Sequence, residues 1–189
     1  MEVVYNGMRR IIREAVNGAN SILLNPQFYD SMTLHSSFDY STTSPPHIAD
    51  LIYNSNITLF VRVYQSRRRN SRVLGYFKAS HPNRLNLNSR RLNRRIEYLV
   101  ATIIHESIHA VDHAIRDYSF GHKGNHSAGN QNSAPYWIGK LAGELFIGKS
   151  PAVARMNAEN FIMDIDIEEY ALDDIEEDVV DYMEVELLM

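Results

Sequence analysis

The sequence predicts an α+β domain in which a small antiparallel or mixed sheet packs against one long buried helix, with further helices following. Three observations carry this expectation. Residues 57–64 and 72–79 are rich in β-branched and aromatic side chains, and residues 84–88 alternate behind them, so all three read as strands joined by short turns. From Leu92 through Ile96, Leu99, Val100, Ile103 and Ile104 the apolar residues recur at helical spacing over a broad face, the pattern of a helix buried on most sides. The whole chain is 189 residues long, which fits a single domain over residues 1–189 with a sizeable core.

The remaining elements follow in order. Residues 6–24 place Met8, Ile11, Ile12, Ala15, Ile22 and Leu23 on one helical face, and Asn25-Pro26 closes that helix. Residues 38–46 are rich in Ser, Thr and Pro and read as a loop. The long central helix is expected to start at the capping residues Asn88-Ser89 and to run to about Ile115. Residues 117–134, rich in Gly, Asn and Ser, form a long irregular loop, and loops of that length inside a domain are often functional. Helices are expected over 135–147 and 151–163. The acidic segment of about 164–189 carries Ile165, Ile167, Tyr170, Leu172, Ile175 and Val179, which suits a terminal helix laid on the body.

Composition narrows the chemistry. With no cysteine, the chain has no disulfide, no thiolate metal site and no cysteine nucleophile. The N-terminal segment lacks the apolar core of a signal peptide, and no stretch approaches the roughly 18 apolar residues needed to span a bilayer. A cytoplasmic protein, or one secreted without a classical signal, with no membrane partner, is the resulting expectation. The net charge of −4 conceals an asymmetry. Residues 1–100 hold 14 Lys or Arg against 6 Asp or Glu, whereas 101–189 hold 5 against 17, and 12 of those carboxylates lie between Asp164 and Glu186 with no Lys or Arg among them. Such runs usually mark a solvated surface, with the acidic segment lying on the basic face as a second reading. Nucleic acid is an unlikely partner of a chain acidic in total and without a recognition motif.

The motif that carries chemistry is His105-Glu106-Ser107-Ile108-His109. Two His four residues apart project from one face of a helix, one turn apart, and their neutral ring nitrogens can bind one tetrahedral Zn²⁺. Glu106 is then a general base that takes a proton from water and later gives it to the leaving amine. Because the flanking residues are apolar, two imidazoles and a carboxylate would sit on a buried helix, which is costly unless something satisfies them. One zinc ion per chain is expected. Asp112, three residues beyond His109, is a candidate acceptor for its second ring proton.

A third ligand is needed, and several candidates compete. His113 lies roughly 12 Å along the helix from His105, too far to share its ion. His122 and His126 flank the Gly-rich loop, with a spacing that matches no familiar scheme, and Glu144 is an acidic residue on a later helix. The motif, then Phe120-Gly121-His122, then Ser133-Ala134-Pro135-Tyr136-Trp137, then Asn157-Ala158-Glu159-Asn160, together resemble the small zincin metallopeptidase domains of bacterial secretion effectors and aspzincin-like peptidases. The resemblance spans about residues 85–165, with Ser107 standing where a larger apolar residue is usual. It implies a zincin-like fold, hydrolysis of a protein or peptide substrate, Glu159 as the third metal ligand beside His105 and His109, and Tyr136 as the donor to the oxyanion. Two other functions stay open: a degenerate zincin-fold binding protein, holding metal structurally or nucleic acid through its arginines, and a zinc amidase acting on a non-protein amide.

Overall fold

The computed structural model describes residues 1–115, 119–124 and 127–148. Its architecture is α+β: five helices and a small mixed sheet of four strands. The helices expected over 151–163 and in the acidic segment, together with His126 and Glu159, lie outside the described residues.

The chain opens with a short strand, β1 (Glu2–Val4), that periodicity does not reveal. Three residues cannot show an alternation, and what holds the strand is remote in sequence. It pairs in parallel with β2 (Thr58–Tyr64). From the helix that follows, Asn20 accepts the Val3 N–H through Oδ1 at 2.9 Å and donates Nδ2–H to the Val3 carbonyl at 2.7 Å. That helix, α1 (Arg10–Leu23), is the one expected from residues 6–24, and it buries Ile12, Ala15, Val16, Ala19 and Ile22.

Asn25-Pro26 does two things. It ends α1 as expected, and it also starts α2 (Pro26–Thr33), where the Asn25 side chain accepts the Gln27 N–H and proline occupies the first turn. Likewise the Ser/Thr/Pro-rich loop gives way at once to α3 (Pro45–Tyr53), which again opens on proline. Both helices are short, and the prolines that suggest a loop are the residues that pre-set the first helical turn.

The sheet order is β1-β2-β4-β3. Strand β4 (Arg84–Asn88) runs parallel to β2, and β3 (Gly75–Phe77), shorter than the expected 72–79, pairs antiparallel with β4 and forms an edge. Asn88 N–H bonds the Leu74 carbonyl at 2.9 Å. The alternation of an antiparallel ladder therefore turns the Tyr76 backbone towards β4 and directs the N–H and C=O of Gly75 and Phe77 away from it.

The long helix α4 (Ile96–Ala114) begins later than expected, because the Asn88 side chain caps a single 3-10 turn (Ser89–Arg91) instead. That segment is held off the helix by its own arginines: Arg90 Nε donates to the Ser66 carbonyl and Arg91 Nε to the Ser71 carbonyl. Helix α4 is buried almost all round, with Val100, Ile103, Ile104 and Ile108 fully enclosed by α1, the sheet and the last described helix, α5 (Ala134–Phe146). Two glycines set the α4–α5 distance. A β-carbon on Gly139 would lie 2.8 Å from the Ala101 carbonyl oxygen, and one on Gly143 would lie 2.9 Å from that of Glu97. The helices therefore run antiparallel in backbone-to-backbone contact, and α5 carries its first turn to the level of His105.

Candidate metal centre

The middle of α4 contributes His105, Glu106 and His109 to one place, beside the edge strand β3 and the first turn of α5. The loop after α4 brings in a third imidazole. His109 Nε2 lies 3.2 Å from His105 Nε2 and 3.1 Å from His122 Nε2. One ligand atom from each of the three residues falls within 4.8 Å of the others, with His105 buried and His109 and His122 half-buried. Ligands at about 2.0–2.1 Å from one tetrahedral ion stand roughly 3.3–3.4 Å apart, close to this spacing.

Protons alone do not account for the arrangement. His122 Nδ1 faces the Gly124 carbonyl, so it carries the ring proton and leaves Nε2 as a lone pair. His109 Nε2 meets two other ring nitrogens, and a neutral ring with one proton there can donate to only one of them. Burial holds the two helical histidines neutral. It drives the His105 pKa well below the ordinary histidine value, with His109 and His122 adding repulsion. It lowers that of His109 to about 3, again reinforced by His122. His105 Nδ1 is buried without a hydrogen bond of normal geometry, although the Pro135 carbonyl favours its protonated ring. Among the described residues, three imidazoles aimed at one point form a donor set that fits a divalent cation of zinc type.

Glu106 sits among these groups at 2% exposure. Its Oε2 accepts the Phe77 N–H at 2.9 Å, the outward-facing amide of the edge strand. Its Oε1 is buried with no hydrogen-bond partner among the described residues. Burial pushes its pKa up to about 8, against the pull of the Phe77 N–H. Tyr136, at the start of α5, packs its ring edge-on against His105 at 4.6 Å and against His122 at 5.1 Å. Gly139 is one turn further along and permits this approach, because its missing β-carbon would meet His105 Cβ at 3.1 Å.

The loop that delivers His122 is tied down by side-chain to backbone bonds rather than by regular structure. Asp112 Oδ1 accepts the N–H groups of Ser119 at 2.6 Å and Phe120 at 3.2 Å, which anchors the start of the returning segment to α4. This is a different duty from the one expected of it towards His109. Phe120 is fully buried beside it. Asn130 then clamps Lys123 from both sides, accepting its N–H and donating to its carbonyl. Gly124 and Gly129 supply the left-handed turns, at φ of 70° and 84°.

The structure places His105, Glu106, His109, His122 and Tyr136 together. Among the described residues, His122 holds the third position for which the resemblance nominated Glu159, and Glu159 itself lies outside those residues. Glu144 is almost fully buried two turns beyond Tyr136, 4.0 Å from Lys140, and is not part of the cluster. His113 packs on Phe77 and is not part of it either. The signal for His122 was present in Phe120-Gly121-His122, but nothing local shows that Asp112 folds the loop back by a full turn of the chain. Comparison with known proteins returns no matching family model, no matching curated protein and no matching solved structure.

Proposed function

We propose that this chain is a zinc-dependent metallopeptidase of zincin-like architecture. The observation that carries the reading is the convergence of His105, His109 and His122 around one point, with the buried Glu106 following the first of them in the chain. The two helical histidines and the loop histidine would hold the ion. When bound, zinc acts as a Lewis acid that lowers the pKa of water and polarises a carbonyl.

The chain's own groups supply the rest. Glu106 Oε1, which has no partner among the described residues, is the atom to accept the proton of the attacking water and return it to the leaving amine. Its other oxygen is fixed by Phe77, so the carboxylate is oriented before substrate arrives. Tyr136, packed on two of the histidines, is the residue to donate to the oxygen on which negative charge develops. We take the substrate to be an extended protein chain rather than a compact non-protein amide, with β3, the sheet edge beside Glu106, as the element along which it would lie. A purely structural metal site has no use for a buried carboxylate with an orphaned oxygen, which argues against the binding-protein alternative.

Glu106→Gln is the decisive variant. It keeps the shape of the site and removes the base, so we expect zinc content by elemental analysis to match wild type. Cleavage of a denatured protein substrate should fall by at least about 100-fold. Undiminished cleavage by this variant would overturn the assignment.

A further inference from the structure

A second feature lies away from the metal centre and stands independently of its chemistry. Between Gln65 and Arg95 the chain carries nine Arg and one Lys and neither Asp nor Glu. The fold gathers most of these at one end of the domain. Arg67, Arg68, Arg69 and Arg72 lie exposed on the β2–β3 connection. Arg90, Arg91, Arg94 and Arg95 lead into α4, and the two groups are stitched together by the Arg90–Ser66 and Arg91–Ser71 bonds. Arg94 Nε bonds the Arg91 carbonyl, which holds a further guanidinium in the same place. The nearest carboxylate in sequence, Glu97, is buried and paired with Arg95. Burial lowers the Arg94 pKa to about 10, with a smaller repulsive contribution from Arg91.

The chain leaves α5 close to this face. Because α5 runs antiparallel to α4, Gly143 rests on the Glu97 carbonyl, one residue into α4. Phe146 packs at Gly18 beside Val100. The last described residue, Gly148, therefore emerges at the same end of α4 as Arg94 and Arg95. Sixteen residues later begins the segment Asp164 to Glu186, with 12 carboxylates and no Lys or Arg. A connection of that length extends to at most about 50–60 Å, so reach does not limit contact. Tethering also raises the local concentration of the segment to roughly the millimolar range.

We propose that the acidic segment Asp164 to Glu186 docks on the arginine face formed by residues 66–72 and 90–95 of its own chain. The occupant is set by complementary charge and by the point at which the chain leaves α5.

The absence of cysteine allows a direct test in the full chain. Nitroxides at Asn70→Cys and Ala171→Cys report the distance between face and segment by double electron–electron resonance. At about 50 mM salt we expect a short, narrow distance that survives an excess of unlabelled chain. It should broaden and lengthen at about 0.5 M salt, where the Debye length is only a few ångströms, and when Arg67, Arg68, Arg69 and Arg72 are all changed to Ser. These four are exposed, so an unchanged thermal midpoint should accompany the change in distance. A long, broad distance at low salt, or one indifferent to the four substitutions, would overturn the proposal. So would loss of the short distance in excess unlabelled chain. A long distance accompanied by tight, salt-sensitive binding of single-stranded DNA would also overturn it and assign the face to nucleic acid.

Discussion

His122 Nε2 stands 3.1 Å from His109 Nε2, across a separation of 13 residues that includes the end of a helix and a reversal of the chain. The two helical histidines alone could bind an ion only weakly. Among the described residues the loop nitrogen completes a cluster of three imidazole donors, the number that the proposed zinc site would need.

Metal content should therefore depend on the loop. We expect about one zinc per chain in the wild type, and clear loss of it on His122→Ala after dialysis against a mild chelator. His113→Ala, on the same helix but packed on Phe77, should retain it. Zinc kept by His122→Ala would shift the third donor to a residue beyond those described, with Glu159 the first to test.

Under the proposed function, Asp112 would be a positioning residue for His122. Its carboxylate holds the Ser119 and Phe120 amides, so Asp112→Ala should release the loop and weaken zinc affinity by roughly 10- to 100-fold, as loss of supporting groups around a metal commonly does. Asp112→Asn keeps one acceptor oxygen and should recover part of the affinity. Competition with a chromophoric chelator distinguishes the two. Equal affinity in Asp112→Ala and wild type would remove the role.

Helix contact at Gly139 admits no side chain. Gly139→Ala would put a methyl group 2.8 Å from the Ala101 carbonyl oxygen and 3.1 Å from His105 Cβ. We expect a loss of about 1–3 kcal/mol in urea unfolding, typical of overpacking between fixed backbones. Tyr136 should also move from its place against His105. Gly124→Ala, with open space around the missing β-carbon, tests backbone conformation instead of packing and should affect zinc binding more than global stability.

The metal-free protein should be most stable near neutral pH, and the sign follows from the buried groups. His105 and His109 have folded pKa values depressed far below the unfolded value of about 6.5, so the unfolded chain gains protons first and stability falls as pH drops below that point. Glu106 is raised to about 8, above an unfolded value of about 4.3, so its contribution declines as pH rises between those limits. Two histidines outweigh one carboxyl on the acid side, and on the alkaline side the carboxyl acts alone. Chemical unfolding after chelation, measured from about pH 5 to 8.5, should show a maximum at about pH 6–7; a monotonic profile would contradict the burial of these groups.

The sequence by itself determined the helix α4 and the two histidines and glutamate upon it, because that information is local. A spacing of four residues on a helix fixes which side chains share a face whatever surrounds them. It also determined the strands β2 and β4 and the helices α1 and α5, whose apolar residues recur often enough to show a period. Short elements stayed hidden. Strand β1 is held by Asn20 and β2, both distant in sequence, and α2 and α3 open on the prolines that otherwise mark a loop. Only the tertiary structure decided that β3 is an edge whose Phe77 amide orients Glu106, that two glycines bring Tyr136 onto His105, and that Asp112 returns the loop so that His122 meets His109. Each of these is a contact between segments with no shared periodicity. Their geometry is set by packing distances and by single hydrogen bonds to the backbone, which leave no repeating trace along the chain.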